Sequence, residues 1–495
     1  FPTRRSSDLR KIRHVFTSFL LVISLISGVY GGFGRIEASA AFTPDVELYS
    51  TAYYMINLDL DTVIAAKNEN ERCYPASITK LMTAIVAYEN CSDLDMHMDT
   101  SWECTNEFWG DDPNKQGAGT ADIAVGQTNL SMKDCLNALL IKSACEAANI
   151  IAYNIGKGGE TERIPNFIAM MNKKAKEIGC TETHFGNAHG LWQEDNYSTP
   201  YDLYLIARYY YDKYPELVEI SNTYEYIMPA NKYNAAPYGI YNVDSLINNV
   251  SNNPYYYEYA TGLKTGSMGD YYTKDGDGNW TVYHEGFANI VSTASQNGFN
   301  YMLVTCGAPY RDEEGNRLNG HFKDTIALYK WAFRTFDIVP VMNENTFITN
   351  VKVDMGENAD VSILKPAGSF STLLPKDLDT SVIEQKITIT AEKNENDAVV
   401  APIEKGQVMG TLELLLDGET IWTTNLLASQ SIELSQYEYT TRMINSIFGK
   451  WWFKLCVAVL ALFIIADIVL NAIQKARIAR AEARRARKAK ISEKW

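Results

Sequence analysis

The sequence predicts a mixed α/β (α+β) domain over residues 41–340, a small all-β domain over residues 341–435 and one C-terminal transmembrane helix. Three observations carry this. Helical and strand periodicities mix through the chain after residue 41. Short β-like runs separated by turn signals take over from about residue 346. Residues 455–473 are almost continuously apolar, close to the roughly 20 residues that span a bilayer core.

Basic residues at 10–13 lead into an apolar run at 15–29, and Ala38-Ser39-Ala40 offers a small-residue cleavage site, so residues 1–40 read as a secretory signal peptide. The competing reading, an N-terminal membrane anchor, asks for a longer run. Ile56, Leu58 and Leu60 alternate with Asn57 and Asp59, which predicts a strand turning at Asp61-Thr62 into a second strand at 63–66. Leu81, Met82, Ile85 and Val86 form the apolar stripe of a helix over 78–88. Ser131-Met132-Lys133-Asp134 has the form of a capping box opening another helix. Pro165 in a first turn and Gly179 past a last turn bracket a third. Its Lys173, Lys174 and Lys176 lie toward the C-terminal end, where the helix dipole favours cations. A helix over about 322–336 closes the domain.

In the second domain, runs at 351–353, 386–390, 411–416 and 420–424 are separated by turn residues such as Asp417-Gly418. Residues 436–450 read as a linker, 451–473 as the span and 474–495 as a basic tail. Trp451 and Trp452 mark the outer edge of the span. Asp467 and Asn471 are its polar exceptions, and a charge in lipid is costly. From Lys475 onward nine Lys/Arg stand against two Glu, so the positive-inside rule puts the tail in the cytoplasm and everything before the span outside.

The chain carries −15 overall, the tail +7 and residues 1–40 +4, which leaves −26 on the body. An acidic extracytoplasmic body argues against a nucleic acid or other polyanion as partner. Of eight cysteines, Cys456 lies in the span, and the other seven cannot all pair within one chain. There is no Cys-x-x-Cys and no His-Glu-x-x-His, and the six His are scattered, so no metal and no cofactor are expected.

Three short strings carry the chemistry. In Ser77-Ile78-Thr79-Lys80 the serine opens a helix and the lysine follows at i+3, so nucleophile and base share a face. The backbone N–H of a residue at a helix start is unpaired and available to a developing oxyanion. Burial and a nearby cation such as Lys264 would lower the Lys80 pKa enough for it to accept the Ser77 proton. Ser143-Ala144-Cys145 falls at a break between two helical stretches, 136–142 and 146–153, where the Ser143 hydroxyl can relay a proton. Lys264-Thr265-Gly266 lies in a glycine-flanked segment readable as an edge strand. Lys264 and Thr265 suit a carboxylate, and Gly266 permits close backbone approach. Each string alone is weak, and a second Ser-x-x-Lys, Ser362 to Lys365, occurs in a strand-like stretch. Order and context single out the set.

These strings, with Asn187-Ala188-His189-Gly190-Leu191, Ser198-Thr199-Pro200-Tyr201-Asp202, Ala401-Pro402-Ile403-Glu404-Lys405-Gly406 and Leu416-Asp417-Gly418, resemble the serine D-alanyl-D-alanine carboxypeptidases, the low-molecular-weight penicillin-binding proteins. The resemblance covers most of the mature ectodomain and implies the β-lactamase/penicillin-binding transpeptidase-like fold. It implies Ser77 as acylated nucleophile, Lys80 as base and Ser143 as relay. Lys264, Thr265, Gly266 and Cys145 would bind substrate, and the backbone N–H groups of Ser77 and Ser267 would form the oxyanion hole. Peptidoglycan stem peptides and β-lactam antibiotics are the implied partners, besides the membrane. The second string departs from the family, which usually has Asn where Cys145 stands, and a thiol is a poor substitute for an amide. Arg317 and His321 are both candidates for an auxiliary cation. A β-lactamase or esterase on the same scaffold, and a penicillin-binding sensor with a damaged site, are the other readings.

Overall fold

The computed structural model describes residues 42–492 apart from 106, 107, 109–111 and 116. The signal peptide and its cleavage site lie outside the described residues. Five antiparallel strands frame the first part of the chain: β1 (Ala52–Asn57), β2 (Thr62–Lys67), β3 (Ala260–Met268), β4 (Phe287–Gln296) and β5 (Phe299–Pro309). Their order across the sheet is β2-β1-β5-β4-β3, which leaves β3, with the Lys-Thr-Gly string, at an edge.

Both faces of this sheet are covered. Ala52, Tyr54 and Ile56 of β1 and Met302, Val304 and Cys306 of β5 join the helical core on one side. On the other, Tyr301 meets Phe333 edge-on at 5.0 Å, and the Tyr329 hydroxyl pairs with Ser292 Oγ at 2.9 Å. This explains why β1 is buried at every position, against the half-exposed alternation read from 56–60. The strand also ends earlier than that reading. The Asn57 side-chain oxygen accepts the N–H groups of Asp59 (3.2 Å) and Leu60 (3.0 Å), and this local turn carries the chain into β2.

The longer helices of this unit among the described residues are α1 (Thr79–Asn90), α2 (Met132–Ile141), α3 (Cys145–Ile155), α4 (Arg163–Ile178), α5 (Pro200–Lys213) and α6 (Gly320–Thr335). α1 is buried continuously from Thr79 to Ala87, as expected of a helix surrounded by others, and it touches α2, α3, α4 and α5. α2 opens on the expected capping box. Ser131 Oγ accepts the Asp134 N–H at 3.2 Å, and Asp134 Oδ2 accepts the Ser131 N–H at 2.8 Å. α4 ends at Gly179 with φ +104°, a left-handed cap that glycine adopts without a Cβ clash. α6 lies on β4 and β5.

A second compact unit begins at Ile338. Its six-stranded sheet comprises β6 (Thr349–Asp354), β7 (Val361–Pro366), β8 (Glu384–Ile389), β9 (Val399–Val400), β10 (Val408–Leu416) and β11 (Glu419–Ala428), in the order β8-β10-β11-β7-β6-β9. Asp417 and Gly418, with φ +52° and +85°, join β10 to β11 as a two-residue hairpin turn requires. The second Ser-x-x-Lys string falls in β7, away from any helix start. Residues 436–450, read as a linker, instead form α7 (Gln436–Gly449), whose first turn is capped when Ser435 Oγ accepts the Glu438 N–H at 3.3 Å. Arg442 of α7 pairs with Asp354 at 2.5 Å. The capping serine and this ion pair are the local reasons for helix there. α8 (Trp451–Ser492) contains a stretch long and apolar enough to cross a membrane.

Candidate active site

Ser77 sits in a single 3₁₀ turn, Ala76–Ile78, that feeds α1. Ala76 has φ +47°, a left-handed conformation that costs an L-residue roughly 1–2 kcal/mol and persists only where neighbours enforce it. Asn289 Nδ2 donates to the Tyr74 carbonyl at 2.8 Å, and the Ile78 N–H reaches the Pro75 carbonyl at 3.2 Å. Two glycines close in on the turn. A Cβ on Gly190 would collide with the Ala76 carbonyl, and one on Gly266 would lie 2.7 Å from the Pro75 carbonyl oxygen. Gly266 is therefore glycine because β3 passes against the nucleophile turn, a different cause from the substrate approach expected for it.

Lys80 follows one helical turn on and is fully buried. Its Nζ donates to Ser77 Oγ at 2.8 Å, to the His189 carbonyl at 2.5 Å and to Cys145 Sγ at 3.4 Å. Burial holds the Lys80 amine below the ordinary lysine range. Ser143, at φ +59°, stands at the break between α2 and α3. Its hydroxyl receives Lys264 Nζ at 3.0 Å, and the same ammonium reaches the Thr265 carbonyl at 3.0 Å. Burial, followed by the nearby Lys80 charge, pushes the Lys264 pKa down to about 7.

Cys145 begins α3, its N–H anchored to the Gly119 carbonyl at 2.7 Å. Its buried thiol is shifted upward by desolvation and stays un-ionised, an acceptor for Lys80 where an amide was expected. The three strings thus converge: Lys80 is hydrogen-bonded to Ser77 and Cys145, Lys264 is hydrogen-bonded to Ser143, and the two lysines lie in each other's field. Thr265 is buried beside Lys264, and Ser267 lies just beyond on the exposed end of β3.

The two auxiliary cations separate cleanly. Arg317 is exposed and reaches Ser267 Oγ at 3.4 Å, while Tyr310 and Asn319 steady its guanidinium at 2.6 and 2.9 Å. His321 is buried against Phe322, and desolvation pushes its pKa down to about 3, so it is a neutral core residue.

Sequence reasoning missed two acids. Glu146 is fully buried. One carboxyl oxygen accepts the Ala121 N–H at 2.6 Å, the other has no partner among the described residues, and desolvation raises its pKa to about 7. Asp244 is likewise buried, accepts the Leu246 N–H at 3.0 Å and is raised to about 6 by desolvation. Lys80 lies in the field of the first and Lys264 in that of the second. Glu146 had a signal, being the one charged residue in the otherwise uncharged run of α3. Asp244 had none. A cavity of about 310 Å³, lined among others by His189, Asn149, Lys115, Trp192 and Tyr271, adjoins the His189 wall.

With this geometry in hand, the comparisons with known proteins are decisive. The family model described as D-alanyl-D-alanine carboxypeptidase matches residues 37–309, more than half of the chain. The chain belongs to the D-alanyl-D-alanine carboxypeptidase family. It is a serine carboxypeptidase by that membership, and residues 336–434 match the penicillin-binding protein 5 C-terminal domain. D-alanyl-D-alanine carboxypeptidase DacF of Bacillus subtilis is 25% identical over 440 residues, covering 89% of this chain and 99% of that protein. DacC of Escherichia coli is 25% identical over 447 residues, covering 87% and 98%. The crystal structure of the D-alanyl-D-alanine carboxypeptidase DacD from Francisella tularensis shares the fold with a TM-score of 0.55 at 19% identity, covering 82% of this chain and 99% of that one.

The burial of Lys80 has a measurable cost. An unfolded lysine titrates near 10.4, whereas the folded Lys80 is lowered, so the native state resists a proton that the unfolded state holds at neutral pH. Lys80→Met is expected to raise stability at pH 7, because it removes a buried amine whose charged form the fold disfavours. That gain should shrink as pH rises toward the unfolded lysine value, which urea unfolding at several pH values will check.

Proposed function

We propose that this protein is a membrane-anchored, penicillin-sensitive enzyme that removes the terminal D-alanine from peptidoglycan stem peptides through an acyl-enzyme on Ser77. The observation that carries the reading is the 2.8 Å contact between Ser77 Oγ and a buried Lys80 amine whose basicity is lowered. A neutral Lys80 takes the Ser77 proton as Oγ attacks the carbonyl between the two D-alanines. General-base help of this kind is typically worth roughly 10²–10⁴-fold. The backbone N–H groups of Ser77 and Ser267 receive the oxyanion. Lys264 and Thr265 hold the terminal carboxylate, with the exposed Arg317 guanidinium as the outer cation. Ser143, held by Lys264, relays to the departing D-alanine amine the proton that Lys80 took from Ser77, which leaves Lys80 neutral again. Water, activated by the same lysine, then hydrolyses the ester. Penicillins enter as mimics of the D-Ala-D-Ala end and acylate Ser77.

The positive tail after the apolar stretch of α8 supports a single-pass topology with both folded units outside the cytoplasm. The experiment is incubation of the purified protein with a fluorescent penicillin, alongside Ser77→Ala, and an assay of D-alanine release from a diacyl-D-Ala-D-Ala peptide. Labelling that depends on Ser77 together with release is expected. Label without release would point to a sensor or another acyl substrate, and no label would refute the acyl-serine reading.

Arg317→Ala should raise KM for that peptide about tenfold, the size of one charge-assisted contact, while kcat changes less. His321→Ala should leave KM unchanged, because the buried imidazole faces no substrate carboxylate.

A further inference from the structure

Two cysteines that the reaction does not use meet directly beneath the nucleophile turn. Cys306 lies on β5, fully buried, on the face turned toward the helical core. Cys73, four residues before Ser77, is half-buried and packs against that same core. Both are free thiols, and the Cys73 side chain stands near enough to that of Cys306 to push its pKa up, ahead of burial. The backbones around them are clamped together by one side chain. Asn289 donates to the carbonyl of Tyr74, next to Cys73, at 2.8 Å and accepts the N–H of Gly307, next to Cys306, at 2.8 Å. Cys73 itself is pinned by reciprocal backbone bonds with Ser198 at 2.8 and 2.9 Å.

We propose that Cys73 and Cys306 form a disulfide in the mature protein, tying the segment that delivers Ser77 to the central strand of the sheet. The bond forms by thiol–disulfide exchange with a disulfide-bearing oxidant. The Cys73 thiolate attacks one sulfur of the oxidant and expels the other as a thiol. The Cys306 thiolate then attacks the Cys73 sulfur of the mixed disulfide and releases the second thiol. Two protons and two electrons leave the protein, and the oxidant becomes two thiols. The Cys73 side chain, followed by burial, holds Cys306 un-ionised in the folded state, so the exchange belongs to folding, before the core closes over β5. Once made, the bond is shielded from reductants and closes most of the first unit into one loop, where a cross-link restrains the unfolded chain most. The proposal stands on the pair's geometry and is independent of the acyl chemistry at Ser77.

The full-length protein, isolated without reductant in detergent, is denatured in the presence of one alkylating agent, then reduced, treated with a second and mapped by peptide mass. Cys73 and Cys306 should carry only the second label, and the unreduced digest should contain the two peptides linked. Reduction should lower the Tm of the wild-type protein by several degrees and leave that of Cys73→Ala unchanged. Should Cys73 and Cys306 both carry the first label, or should either be found bonded to a different cysteine, the proposal is overturned. The mapping uses the unaltered protein, so it decides the matter even if the variant fails to fold.

Discussion

Two lysine side chains buried in one protein interior are the constraint on which the rest of this structure depends. Lys80 and Lys264 are 0% and 2% exposed, and water cannot stabilise their charge there. Nearly every neighbour answers that problem. A serine hydroxyl, a thiol and the His189 carbonyl receive Lys80, while a second serine and the Thr265 carbonyl receive Lys264. Two acids, Glu146 and Asp244, stand behind them with pKa values raised to about 7 and 6. Lysines lowered and carboxyls raised stand side by side, which brings their proton affinities closer together. A serine base needs that property.

The same constraint explains the backbone around the site. Placing Ser77 within reach of a buried amine requires a tight turn, and Ala76 accepts a left-handed conformation to make it. Gly190 and Gly266 let two other segments press the turn into place, and Asn289 anchors its entry to the sheet. Cys145 fits this picture better than it fits a substrate-binding amide. Its sulfur is a soft, un-ionised acceptor for Lys80, and its S–H is only a weak donor.

The sequence made much of this legible where a local rule dominates. The Ser131 capping box, the Gly179 cap and the Asp417-Gly418 hairpin follow from single-residue stereochemistry, and each stands where that chemistry placed it. The three strings singled out Ser77, Lys80, Ser143 and Lys264 by residue type and spacing, and the fold brings the strings together. What escaped was set by tertiary packing. β1 is covered on both faces, which erases the alternation that would have fixed its end. The helix at 436–449 depends on a cap and an ion pair to Asp354, nearly a hundred residues away in the chain. Asp244 was invisible because only the folded chain sets it behind Lys264. Arg317 is exposed beside Ser267 and His321 is buried, a difference that no spacing encodes.

The central claim is that burial lowers the Lys80 amine below the ordinary lysine range. The direct measurement is the titration of Lys80 Nζ by NMR in protein carrying isotope-labelled lysine, assigned by the loss of its signal in Lys80→Met. The account predicts a midpoint well below the ordinary lysine value of about 10.4. A Lys80 that titrates at the ordinary value, protonated throughout the range in which the enzyme works, would contradict it.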